Sequence, residues 1–164
     1  QVVNVAGLGT SANATIIQWH VVAMFLPSFF SGSIIARVGA LRVLWAGVFF
    51  YAMTIYLAVG ALGFWPYWMA LVTLGLGWNF LYVGGSSLVA RVAEPEERGR
   101  VQGFADLATM TTVATASLSA GAIHSQLGWD AVSLAALVPV TILAIALVWL
   151  GLAQRRQAEA EAVT

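Results

Sequence analysis

Four stretches of this chain, residues 13–36, 43–62, 67–90 and 131–152, contain no charged side chain at all. A fifth, 101–123, carries one acid, Asp106, near its start and is otherwise apolar or small. Crossing the hydrocarbon core of a bilayer as a helix takes about 20 residues, and each run meets that length. The runs are continuous rather than alternating, which favours helices over barrel strands, and lipid obliges every span to satisfy its backbone internally. The expected architecture is therefore an all-α, polytopic membrane bundle of five transmembrane helices within residues 13–152. Residues 1–12 are expected to form an external loop or the end of a truncated preceding helix, and 153–164 a frayed cytoplasmic tail.

Composition closes the other routes. Charged residues make up 9% of the 164 and hydrophobic ones 60%, against roughly 25% charged in an ordinary soluble domain. A soluble enzyme, a nucleic-acid binder and a disordered tail are all disfavoured, and the zero net charge offers no basic face for phosphates. The absence of Cys removes thiolate metal sites and thiol catalysis.

The connectors set the orientation. Gly63-Phe64-Trp65-Pro66-Tyr67 and His124-Ser125-Gln126-Leu127-Gly128-Trp129-Asp130 combine helix breakers with aromatic residues suited to a headgroup belt. All seven basic residues are Arg: Arg37 and Arg42; Arg91, Arg98 and Arg100; Arg155 and Arg156. Counting spans puts these three groups on one side and the two Trp-bearing turns on the other. Random choice of side would segregate the Arg this fully roughly once in 64 trials. The positive-inside rule then predicts a cytoplasmic C-terminus and an external start at Gln1, the cut end of something longer. The expected location is a cell membrane, of the bacterial inner-membrane kind.

One connector carries a motif. In Gly32-Ser33-Ile34-Ile35-Ala36-Arg37-Val38-Gly39-Ala40-Leu41-Arg42, a flexible Gly39 permits a tight turn between two Arg that hold the loop at the interface. The segment resembles the short cytoplasmic loop of the major facilitator superfamily: Gly, an acid four residues on, then Arg, any residue, Gly and basic residues. Gly32, Arg37, Gly39 and Arg42 match, while Ala36 replaces the acid and Ala40 a basic residue, the weakened form of such proteins' second half. The connector with Pro95, Arg98 and Gly99 is similar to the family's loop between helices ten and eleven.

The resemblance implies helices eight to twelve of a C-terminal six-helix half. It implies secondary active transport of a small solute by alternating access, coupled to an ion or proton. Its partners would be the lipid bilayer, the solute and the N-terminal half, with no cofactor, metal, nucleic acid or catalysis. In that fold helices eight, ten and eleven line the cavity, while nine and twelve face lipid. The runs 43–62 and 131–152 indeed contain no Asp, Glu, His, Asn or Gln; the other three hold Gln18, His20, Asn79, Gln102 and Asp106, with His124 at the edge of the last.

At about 100° per residue His20, Met24, Pro27 and Ser31 share a face, with Gln18 nearly opposite, and Pro27 should kink its helix. Trp68, Gly75, Asn79, Tyr82 and Ser86 form a second stripe; Gln102, Asp106, Thr109, Ser117 and His124 a third. Gln18, His20, Asn79 and Tyr82 are the expected cavity contacts, and Asp106 and His20 the candidates for proton coupling or gating. Each has a plainer role: Gln18 and Asn79 as interhelical hydrogen-bond glue, His20 as a satisfied bundle residue, Asp106 as an ion-pair lock to the absent half. The glycines 75, 77, 84 and 85 and the small residues of 113–122 are expected to permit close packing. Two competitors from other classes are a non-transporting anchor or receptor fragment and an intramembrane serine hydrolase. The latter would use Ser86 or Ser87 with His20 or His124.

Overall fold

A computed structural model describes residues 9–59 and 61–163; most of the expected external segment, residues 1–8, lies outside them. Six helices follow in order: α1 Thr10–Phe25, α2 Ser28–Val38, α3 Ala40–Ala58, α4 Phe64–Val92, α5 Arg98–Ala135 and α6 Leu137–Val163. Among the described residues there is no strand.

Where one kinked span is expected at 13–36, two helices stand instead, bent by 41° at a short break. Pro27 has no N–H for the helical ladder, and its ring would collide with the carbonyl one turn back. The chain restarts at once, the N–H groups of Phe30 and Ser31 both reaching the Pro27 carbonyl. α2 and α3 are separated by a single residue, Gly39, at φ +87°. A side chain there would be strained, so glycine is what allows a reversal this short.

α3, the stretch 98–162, and α1 with α2 taken as one bent span are each long and apolar enough to cross a membrane. α4 has 29 residues but is less apolar, being rich in Trp, Tyr and Gly. Its position explains this: α4 packs against α1, α2, α3 and α5 and has little lipid to face. The stretch 98–162 is far too long for one crossing. It is broken at Gly128, at φ +81°, and again at Ala136, so the connector expected at 124–130 is helical except at this kink. The expected frayed tail is also helical, as far as Val163.

Side-chain pairings give the directions. α1 and α4 run the same way, Trp19 meeting Trp68 with ring centroids 5.9 Å apart. α3 opposes α4, with Thr54 bonded to Thr73 and Leu44 against Gly84. α6 opposes α3, with Leu147 packed on Leu44 and Val48, and α5 opposes α4 through Gln102 and Ser86. All seven Arg consequently lie at one end of the bundle. Large apolar side chains such as Phe29, Phe104, Leu118 and Trp149 are exposed on its outer surface, as suits a protein whose solvent is lipid.

Three glycines of the α3–α4–α1 seam do what the sequence asks of them. A Cβ at Gly75 would sit 2.6 Å from the His20 carbonyl, and one at Gly84 would sit 2.9 Å from Leu44. A Cβ at Gly77 would sit 3.2 Å from the Gly47 carbonyl. Gly85 and Gly121 have open space, and residues 113–122 are exposed apart from half-buried Ala120. Among the described residues these small side chains are left largely uncovered, with Ser117 turned to the cleft described below.

Candidate functional site

α4 carries polar groups on two faces, and the structure gives them different company. Asn79 is 2% exposed. Its Nδ2 donates to the Met24 carbonyl at 2.7 Å and to Ser28 Oγ at 2.5 Å, while its Oδ1 accepts from Ser31 Oγ at 2.8 Å. The break at Pro27 exposes carbonyls in the last turn of α1, and Asn79 caps one of them from the neighbouring helix. It therefore joins both sides of the bend.

One turn further along α4, Tyr82 donates to Asp106 Oδ1 at 3.0 Å. Gln102 Nε2 donates to the same oxygen at 3.0 Å and to Ser86 Oγ at 3.2 Å. This Ser86–Gln102–Asp106–Tyr82 chain fastens α5 to α4 and is half-buried. Trp78 stacks on Tyr82, with planes 8° apart and centroids 6.0 Å apart.

Between these clusters lies a cleft of about 700 Å³. His20, Met24 and Ser28 line one side, Trp78, Asn79 and Tyr82 the floor, Tyr51 an edge, and Met110, Val113 and Ser117 the other wall. Arg, Asp and Glu are absent from this lining. His20 Nδ1 lies 2.7 Å from the Leu71 carbonyl. A carbonyl only accepts, so Nδ1 carries the hydrogen, and the tautomer with Nδ1 alone protonated offers Nε2 as an acceptor. The cleft thus presents an aromatic floor, two thioethers and an imidazole, with no Arg, Asp or Glu in its lining, suited to a flat, uncharged ring system.

His20, Asn79 and Tyr82 line this cleft, and Asp106 joins it through Tyr82. Gln18 does not: it is exposed in a separate shallow groove with Ile17, Trp19, Val21 and Val22 on the far side of α1. Residues two apart on a helix point about 200° apart, so His20 and Gln18 cannot share a face. His124 packs edge-on against Trp129, centroids 6.1 Å apart, and Ser86 accepts from Gln102, so neither His is brought to that serine as a base. Tyr51 and Trp78 were not among the expected contacts. The spacing Trp78–Tyr82, one turn on the same face, is the signal that points to Trp78; Tyr51 lies on α3, the helix expected to face lipid alone. In the loop motif Gly39 makes the turn, Gly32 has open space around it, Arg37 lies in the last turn of α2, and Arg42 Nη1 approaches the Val38 carbonyl at 3.4 Å. Among the described residues no group of three His, Asp or Glu side chains converges as a metal site would require.

The fold and the cleft together define a polytopic, all-helical membrane protein. Its sequence matches the model of the Major Facilitator Superfamily over residues 3–163, and the chain belongs to that family. Over 117 residues it is 40% identical to the riboflavin transporter RfnT of Brucella anthropi, covering 71% of this chain and 29% of that protein. Two uncharacterized MFS-type transporters of Bacillus subtilis, YdeG and YddS, are 28% and 27% identical over 87% of this chain, and 34% and 33% of their own lengths. The chain thus spans about a third of the length of the curated relatives it matches. No solved structure matches it.

Proposed function

We propose that this chain is part of the C-terminal half of a secondary transporter, corresponding to helices eight to twelve. It carries a small solute across a cell membrane by alternating access against an N-terminal half. The Arg-bearing end faces the cytoplasm, the start of α1 faces outward, and no reaction is catalysed. The observation that carries this reading is the cleft, walled by α1, α3, α4 and α5. It leaves the small-residue face of α5 uncovered, where a second half would complete the cavity. Likeness to a riboflavin transporter and the Trp78–Tyr82 step with His20 Nε2 support a flat heteroaromatic solute of that kind. Coupling to a proton or another ion runs through Asp106, whose hydrogen-bond donors are side chains able to exchange partners.

The test is uptake of labelled riboflavin into proteoliposomes holding the full-length protein. Flux above protein-free vesicles is expected. Removing the acceptor with His20→Ala should raise KM roughly tenfold, the worth of one hydrogen bond to a polar solute. Gln18→Ala should leave KM unchanged. No flux above the vesicle background would discard riboflavin, and equal KM changes in the two variants would discard the cleft.

A further inference from the structure

A second concavity, of about 600 Å³, lies between the start of α3 and the end of α6, remote from the cleft. Arg42 and Arg155 enter it from elements far apart in sequence, and Trp45, Leu147, Gly151 and Leu152 line it further in. We infer that this groove binds an anionic phospholipid, its phosphate between the two guanidinium groups and an acyl chain along the α3–α6 seam.

Three features carry this. The charges converge at the Arg-bearing end of the bundle, where the apolar spans give way to polar residues and headgroups must lie. Arg100 pairs with Glu97 at 2.7 Å, and neither Arg42 nor Arg155 takes part in that pair. Glu159 and Glu161 follow on α6 outside the groove lining. Basic pockets between spans at such an interface recognise lipid phosphates.

The second feature is the floor. Leu147 is buried against Leu44 and Val48, and a Cβ added at Gly151 would sit 3.4 Å from the Leu41 side chain. The missing side chain at Gly151 leaves a depression with Leu152 and Val148 half exposed beside it. A free phosphate would use the charges and leave this apolar channel empty, whereas a phospholipid uses both. The third is Trp45, partly exposed beside Arg42, placed as an amphipathic ring at headgroup depth is placed.

Native mass spectrometry of the intact protein, released from micelles with equal phosphatidylglycerol and phosphatidylcholine, tests this. Phosphatidylglycerol should stay bound and phosphatidylcholine should not. The pair Arg42→Gln/Arg155→Gln should weaken retention roughly 30-fold, about fivefold for each basic residue near an anionic headgroup. The charge-matched pair Arg98→Gln/Arg100→Gln, at the same end but outside the groove, should stay within about twofold of the parent. Gly151→Leu keeps both charges and fills the depression, so it should lower retention several-fold, and it decides the matter if the glutamine pair does not stay monodisperse. Equal retention of the two lipids, equal losses in the two Arg pairs, or displacement of the lipid by excess inorganic phosphate would each overturn the assignment.

Discussion

The two faces of α4 are built to opposite plans. Toward α1, α2 and α3 the helix is locked: Gly75 touches the backbone of α1, and Asn79 is fully enclosed by a carbonyl and two hydroxyls. Toward α5 it is open: Gly85 faces empty space, and Tyr82 and Ser86 meet Gln102 and Asp106 through half-buried side chains. A polar group whose partners include backbone fixes geometry. A carboxylate held by side-chain donors can trade them. The difference teaches where rigidity and where change reside in this bundle.

Four substitutions break or sharpen the contrast. Gly75→Leu drives a side chain into the α1 backbone and should cost about 3 kcal/mol, lowering Tm in detergent by about 10 °C. Asn79→Ala removes three hydrogen bonds at about 0.6 kcal/mol each and should lower Tm by about 5 °C. Asp106→Asn retains an Oδ1 acceptor for Tyr82 and Gln102, so Tm should move by no more than about 2 °C. Its mark should instead be a flattened pH dependence of uptake. A large Tm loss with an unchanged pH profile would place Asp106 with Asn79 on the rigid side. Gly85→Ala should change Tm by about 1 °C or less, because the added methyl meets nothing and favours the helix. If it proves as harmful as Gly75→Leu, the open face is not open.

Much of this was legible in the residues, and the exceptions have physical reasons. Charge-free runs disclose helices because lipid admits only helices and closed barrels and the runs do not alternate, and the turn at Gly39 follows from a backbone geometry that suits glycine. The position of Pro27 foretold a bend but not that α2 would begin afresh as its own helix, since that depends on Ser31 and Asn79 meeting across 48 residues. Helical spacing separated Gln18 from His20 without saying which of them faced inward; only the packing of Gly75 against His20 settles it. Tyr51 escaped because α3 lacks amides, carboxylates and His. It nonetheless lines the cleft from a helix whose other side carries exposed Phe49, Met53 and Tyr56.

The parallel contact between α1 and α4 also has a consequence for how the chain is made. His20 and its carbonyl partner are 51 residues apart, and ribosomes add roughly 5–20 residues each second. The first span therefore spends several seconds in the membrane with its bend unclasped before α4 emerges to close it. During that interval any chaperone or neighbouring helix able to shelter the Pro27 break would govern how much newly made protein reaches its final form.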